Sequence, residues 1–194
     1  MRRDAAAARW WARPFARWLL LREARALAAV AAAPRPAALR DAAPALLHEE
    51  RDLLVRRWID GRPLREARPV GDLAYFRAAR RLLVALHRAG VVHNDDAKEE
   101  NWLVRADGRP ALVDFQLASV HRRRGRWFRL LAREDLRHLC KHKRTFCPDA
   151  LTAAERALLA RPSGAARLLR AGPKRLYNLL TRRVIGWSDD EGRA

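Results

Sequence analysis

The sequence predicts an α+β fold in which a small, incomplete β layer precedes a mostly helical half that carries one functional hairpin. Three observations carry that expectation. Residues 15–33 are nearly all strong helix formers, two short apolar runs at 45–47 and 53–59 flank an acidic turn, and helical patterning dominates from residue 133 onward.

The first segment, FARWLLLREARALAAVAAA, has apolar positions that include Trp18, Leu20, Leu21, Leu27 and Val30, and should stop before Pro34 and Pro36. Ala45–Leu47 and Leu53–Ile59, separated by HEERD, read as a β-hairpin. Asp60-Gly61-Arg62-Pro63 then punctuates the chain and marks the best domain boundary, dividing 1–60 from 61–194. Residues 72–89 form an amphipathic helix with Asp72 as N-cap and Gly90 as its stop. Two strands, roughly Trp102–Arg105 and Ala111–Phe115, flank the turn Ala106–Pro110, whose Asp-Gly is a hairpin signal. Helices are expected at 133–143, 152–160, 163–171 and 173–185.

The 194 residues suffice for one ordinary domain or two small lobes. Their hydrophobic and charged fractions exclude a disordered chain. The formal net charge of +19 and the pI near 11.6 are unusual, and 37 of the 41 basic residues are arginine. Arg and Ala have GC-rich codons, so coding bias contributes, but the field still favours anionic partners: nucleotides, phosphosugars, lipid head groups or RNA. Two cysteines are too few for a disulfide framework, and no apolar run approaches a membrane span. The expected placement is cytoplasmic, with a peripheral position at the inner membrane as the second choice. RWWARPFARW mixes Trp and Arg as interfacial segments do, or holds core aromatics left uncovered.

Chemistry concentrates between His93 and Gln116, HNDDAKEENWLVRADGRPALVDFQ. His93, Asp95 and Asn101 lie in a loop after a helix and the apolar pair Val91-Val92. Asp114 ends the strand that pairs back on that loop, so the hairpin brings Asn101 and Asp114 together with Asp95 nearby. Two acids and an amide suit a hard divalent ion, and a third group is then free to orient or deprotonate a hydroxyl. Either acid alone reads as structural; the joint pattern does not.

HND, Asn101 six positions after Asp95, and DFQ thirteen positions after Asn101 resemble the catalytic loop and metal-binding segment of protein-kinase-like phosphotransferases. The similarity is greatest to bacterial RIO-type kinases and lipopolysaccharide-core (Kdo/heptose) sugar kinases. It spans about residues 20–140 and is specific over 87–118. It implies a kinase-like fold, with 1–60 as a remnant N-lobe and 61–194 as a helical C-lobe. It also implies ATP and Mg²⁺ as cofactors, and as acceptor a protein Ser/Thr or a lipopolysaccharide-type sugar hydroxyl. Asp95 would accept or orient the hydroxyl proton, Asn101 and Asp114 would hold Mg²⁺, and Lys98 would neutralise the transferring phosphoryl group. His93 and Phe115 would pack beneath the loop. Asp135 would brace it from a C-lobe helix or, as a plainer alternative, stabilise a helix N-terminus. Glu23 would be the helix-C acid that pairs with the nucleotide-binding Lys, and Trp58-Ile59-Asp60-Gly61 the hinge that meets adenine.

The chain departs from the pattern in four places. Asp96 replaces an apolar residue and sets a second acid beside the base; the loop is one residue longer than usual; and Gln116 replaces Gly. No Lys occurs before Lys98 and no Gly before Gly61, so neither a Gly-rich hairpin nor a Lys-bearing strand is expected ahead of Glu23. The expectation is therefore that a coding start upstream of Met1 supplies them. The chain as given should then bind ATP weakly with severely reduced turnover. A catalytically impaired pseudokinase scaffold and a basic RNA- or membrane-surface-binding protein are the alternatives. The Arg-rich run 121–129 reads equally as an exposed loop or as a receiver of an anionic acceptor. His138, Cys140, His142 and Cys147 look superficially like a zinc set, but a solvated basic helix is preferred.

Overall fold

The computed structural model describes residues 1–33 and 41–160. The helices expected at 163–171 and 173–185, and the Pro34/Pro36 stop, lie outside the described residues. The chain is mixed α+β, with small antiparallel sheets set among helices.

The first element is a strand, β1 (Arg2–Asp4), in a stretch with no strand signal of its own. It exists because β3 (Leu53–Arg56) lies beside it, with Arg3 opposite Leu54. β2 (Leu46–Glu49) pairs on the other side of β3 as the expected hairpin, with a bulge between Leu46 and His48, giving the order β1-β3-β2. Helix α1 (Arg13–Ala32) packs against this layer and ends with Ala33 already extended, as the residue before a proline must be. Of its apolar positions, Leu20, Leu27 and Val30 are buried, whereas Trp18 and Leu21 are exposed.

β4 (Arg62–Pro63) joins β6 (Trp102–Val104) and β7 (Pro110–Leu112) in the order β4-β6-β7. A short α2 (Leu64–Ala67) leads to α3 (Leu73–Arg88), which Asp72 caps by accepting from Tyr75 N at 2.9 Å. Gly90 then turns the chain at φ +76°, and a Cβ there would sit 2.6 Å from His121 O. β5 (Val91–Val92) pairs with β8 (Ser119–Val120), so both ends of the 93–116 segment are fixed to one ribbon.

Helix α4 runs Arg126–Phe146, seven residues earlier than the periodicity indicated, and α5 covers Ala153–Ala160. The Arg-rich run is therefore part helix. Its cationic start opposes the helix dipole, but Phe128, buried against the rings of His87 and His121, holds the first turn in place. The main core joins the C-terminal half of α1 (Ala26, Leu27, Val30) to α3, Trp102, Leu112 and Phe115. A smaller cluster of Ala5, Ala16, Leu20, Ala24 and Leu54 lies between the N-terminal half of α1 and the first sheet.

Candidate active site

The loop after β5 is built from the backbone outward. Asp135, ten residues into α4 and buried, accepts from His93 N at 2.9 Å and Asn94 N at 3.1 Å, with His87 Nε2 3.0 Å away. It therefore braces the loop and is not a helix N-terminal acid. His93 is fully buried. Its Nε2 donates to Val113 O (3.0 Å), its Nδ1 accepts from Asp95 N (3.3 Å), and its ring meets Phe115 edge-on at 4.8 Å. Asn94 and Asp114 both adopt left-handed backbone (φ +64° and +63°), so the two strained non-glycine residues nearest the loop stand at its two ends. The Asn94 side chain secures its turn by donating to Leu117 O and Ser119 Oγ.

On this frame Asp95 is 2 % exposed and ion-paired to Lys98 Nζ at 2.7 Å. Asn101 Nδ2 donates to Asp95 O (2.9 Å) and Oδ2 (3.2 Å). Val113 N donates to Asn101 O at 2.9 Å, which ties the approach to Asp114 to Asn101. β7 ends at Leu112, two residues short of Asp114, so the acid stands beyond the strand in its own turn.

Asp96 does not crowd Asp95. It is fully buried in the opposite direction, with Oδ1 2.9 Å from His138 Nδ1 and its backbone O accepting from Trp102 Nε1 and His142 Nε2. Burial, with Asp135 and Asp95 adding to it, pushes the Asp96 carboxyl well above the usual range. Oδ2 has no hydrogen-bond partner among the described residues. Burial also lowers the His138 pKa to about 4. His138 and His142 face Asp96 and Cys140 faces away from them, and none of the three is solvent-exposed, so this part of α4 is not a solvated basic helix. Among the described residues no group of three His, Cys, Asp or Glu side chains forms a metal site.

The sequence missed a residue that meets both Asp114 and Glu23. Arg3, on β1, points its Nη2 to Asp114 Oδ1 at 3.3 Å and its Nε to Glu23 Oε2 at 3.4 Å. Arg56 Nε approaches Glu23 Oε1 at 3.1 Å from β3. Glu23 is fully buried between the two guanidinium groups; burial raises its pKa while both arginines pull it down. The two Glu23 contacts are ion pairs without the alignment of hydrogen bonds, whereas Arg3 Nη2 donates to Asp114 Oδ1. No Lys-bearing strand precedes Glu23, as expected; the strand that does stand there, β1, was not expected and carries Arg3. The only advance signal was a lone RRD before a helix.

Trp58, Asp60 and Gly61 lie on the link between β3 and β4, with Trp58 exposed and donating Nε1 to Asp60 Oδ1 at 3.2 Å. Ile59 packs on Leu103 and Ala111. Among the described residues these four make no hydrogen bond or ion pair with the loop. No described helix is long and apolar enough to cross a membrane. No protein-family model and no curated protein matches the chain.

Proposed function

We propose that this chain is a kinase-like phosphotransferase that carries the γ-phosphoryl group of ATP to a hydroxyl of a protein Ser/Thr or of a lipid-linked sugar. One observation carries the reading. A strand-borne cation, Arg3, paired with the buried helix acid Glu23, meets Asp114 across from a loop that holds Asp95, Lys98 and Asn101. The β1-β3-β2 layer over α1, followed by a helical half, agrees with a kinase-like arrangement.

Asp95 is held by Lys98 and Asn101 with little exposure, which suits a carboxylate that accepts or orients a hydroxyl proton. The Lys98 ammonium beside it carries the charge a transferring phosphoryl group needs neutralised. Arg3 offers a planar set of donors to phosphate oxygens while Glu23 fixes its direction. Asn101 spends its amide nitrogen on Asp95, which leaves its oxygen to join the Asp114 carboxylate as hard donors that fit Mg²⁺. When bound, that ion supplies charge neutralisation on the phosphates. The Asp96 side chain turns to His138 while Asp95 turns to Lys98 and Asn101, so the second acid leaves the contacts of Asp95 in place. The Trp58–Gly61 link is the segment whose backbone meets adenine.

A scaffold without turnover is the second reading. It is favoured by an arginine where a lysine is usual, and by the direct Arg3–Asp114 pair that a nucleotide must rearrange. Thermal denaturation of the 194-residue chain with ATP, with and without Mg²⁺, together with transfer of labelled γ-phosphate, separates the two. The expected outcome is Mg²⁺-dependent stabilisation, about 2.7 kcal/mol at a hundredfold excess over Kd. Asp95→Asn should keep that stabilisation and lose transfer by roughly a hundredfold or more. Stabilisation without any transfer supports the scaffold; no nucleotide effect with millimolar Mg²⁺-ATP sinks both readings.

A further inference from the structure

An open groove of about 320 Å³ lies between α3 and the first turns of α4, beside His87. Its floor is apolar, from Val84, Phe128, Ala132 and Leu136, and its rim carries Arg88, Arg124, Arg129 and Arg133. All four arginines are exposed, and among the described residues none has a carboxylate partner. Arg124 reaches back to Arg88 O at 2.8 Å, which folds the 121–125 segment onto the rim. An unpaired set of guanidinium groups around an apolar floor fits phosphate esters joined to hydrocarbon.

The surroundings choose among the carriers of such groups. Trp127, one turn away on α4, is 64 % exposed, and Val120 before the arginine run is 44 % exposed. Both are apolar side chains without cover among the described residues, flanked by Arg122, Arg123 and Arg126. Aromatic and aliphatic groups set among arginines insert at the headgroup level of a bilayer, where each cation also gains from the anionic surface potential. A nucleic acid uses the charges equally well but draws little from a mostly aliphatic floor in which the Phe128 ring is buried and the His87 ring is half-buried.

We propose that this groove and the Val120–Trp127 edge dock the protein on an anionic phospholipid surface. The docking is independent of nucleotide chemistry and is read without it. The full chain is co-sedimented with vesicles of phosphatidylcholine alone and with about one-third phosphatidylglycerol. Wild type is compared with Arg129→Gln/Arg133→Gln, with Trp127→Ala, and with Arg25→Gln/Arg77→Gln, which removes two exposed arginines elsewhere. Binding is expected only with the anionic vesicles. The groove pair should weaken it by roughly thirtyfold, and the distant pair by less than about threefold. Trp127→Ala should remove the part of the binding that survives high salt. Equal losses from both arginine pairs would show diffuse attraction by net charge and overturn the proposal. Tighter binding of a single-stranded RNA with the same dependence on Arg129 and Arg133 would also overturn it.

Discussion

Glu23 ties β1 and β3 to α1, because its carboxylate is buried and answered by Arg3 and Arg56 together. Removing one partner of a buried pair strands the other, so Arg3→Met should cost about 3 kcal/mol in denaturant titration and abolish the nucleotide-induced stabilisation. Arg3→Lys keeps the charge and should recover most of the stability and part of the nucleotide effect. If Arg3→Met leaves the nucleotide effect intact, the assignment of Arg3 to phosphate is wrong. Asp96 gives a pH test. Its pKa is raised by burial, so the native state holds a proton that the unfolded state has released above the carboxylate range. Stability from this group is complete below that range and is lost as pH rises through the raised value. His138, lowered to about 4, works oppositely, losing stability as pH falls from its unfolded value toward about 4. Asp96→Asn deletes the first effect, so the Tm of the variant minus that of wild type should rise steadily as pH is raised above the carboxylate range. A constant difference would show that Asp96 is ionised in the native state.

At the scale of elements, the turn from α3 into β5 sets where the loop begins. Gly90 lies at φ +76° against His121 O, and His121 N donates back to Gly90 O at 2.8 Å. Gly90→Ala combines left-handed strain with a backbone clash, and should lower stability by about 2 kcal/mol or more while shifting the loop enough to reduce transfer. Equilibrium unfolding and a transfer assay on the same preparation check both. This part of the chain was legible in the sequence because its signals are local: an apolar stripe, an Asp cap, a Gly stop, and acids and an amide at hairpin spacing. Asp72, Gly90, His93, Asp95, Asn101 and Phe115 stand where those signals put them. β1 was illegible because three residues, RRD, have no strand character until β3 is beside them. Arg3 was hidden with it. The early start of α4 was hidden for a related reason, since burial of Phe128 outweighs the cost of arginines at a helix N-terminus. Trp18 and Leu21 show the converse: helical spacing alone does not say which apolar side chains are covered.

Across the whole molecule, α1 belongs to two cores. Ala16, Leu20 and Ala24 serve the cluster beneath the β1-β3-β2 sheet, and Ala26, Leu27 and Val30 serve the main core, with Arg25 at the changeover. The first cluster holds five buried residues, three of them alanines, against twenty-one in the second, so it contributes far less burial to hold its sheet in place. The N-terminal sheet should therefore open sub-globally while α3, β6 and β7 stay closed. In native-state hydrogen exchange, the Leu54 and Val55 amides should exchange roughly a hundredfold faster than those of Leu82, Leu86 and Leu112. Mg²⁺-ATP changes this in a specific way if it bridges Arg3 on the sheet to Asp114 beyond the main core. Exchange across β1 and β3 should slow, while the α3 amides, already limited by global unfolding, change only as far as the whole molecule is stabilised. Uniform protection in the absence of nucleotide would mean that the two clusters unfold as one unit. Slowing in α3 alone would mean that the nucleotide binds away from Arg3.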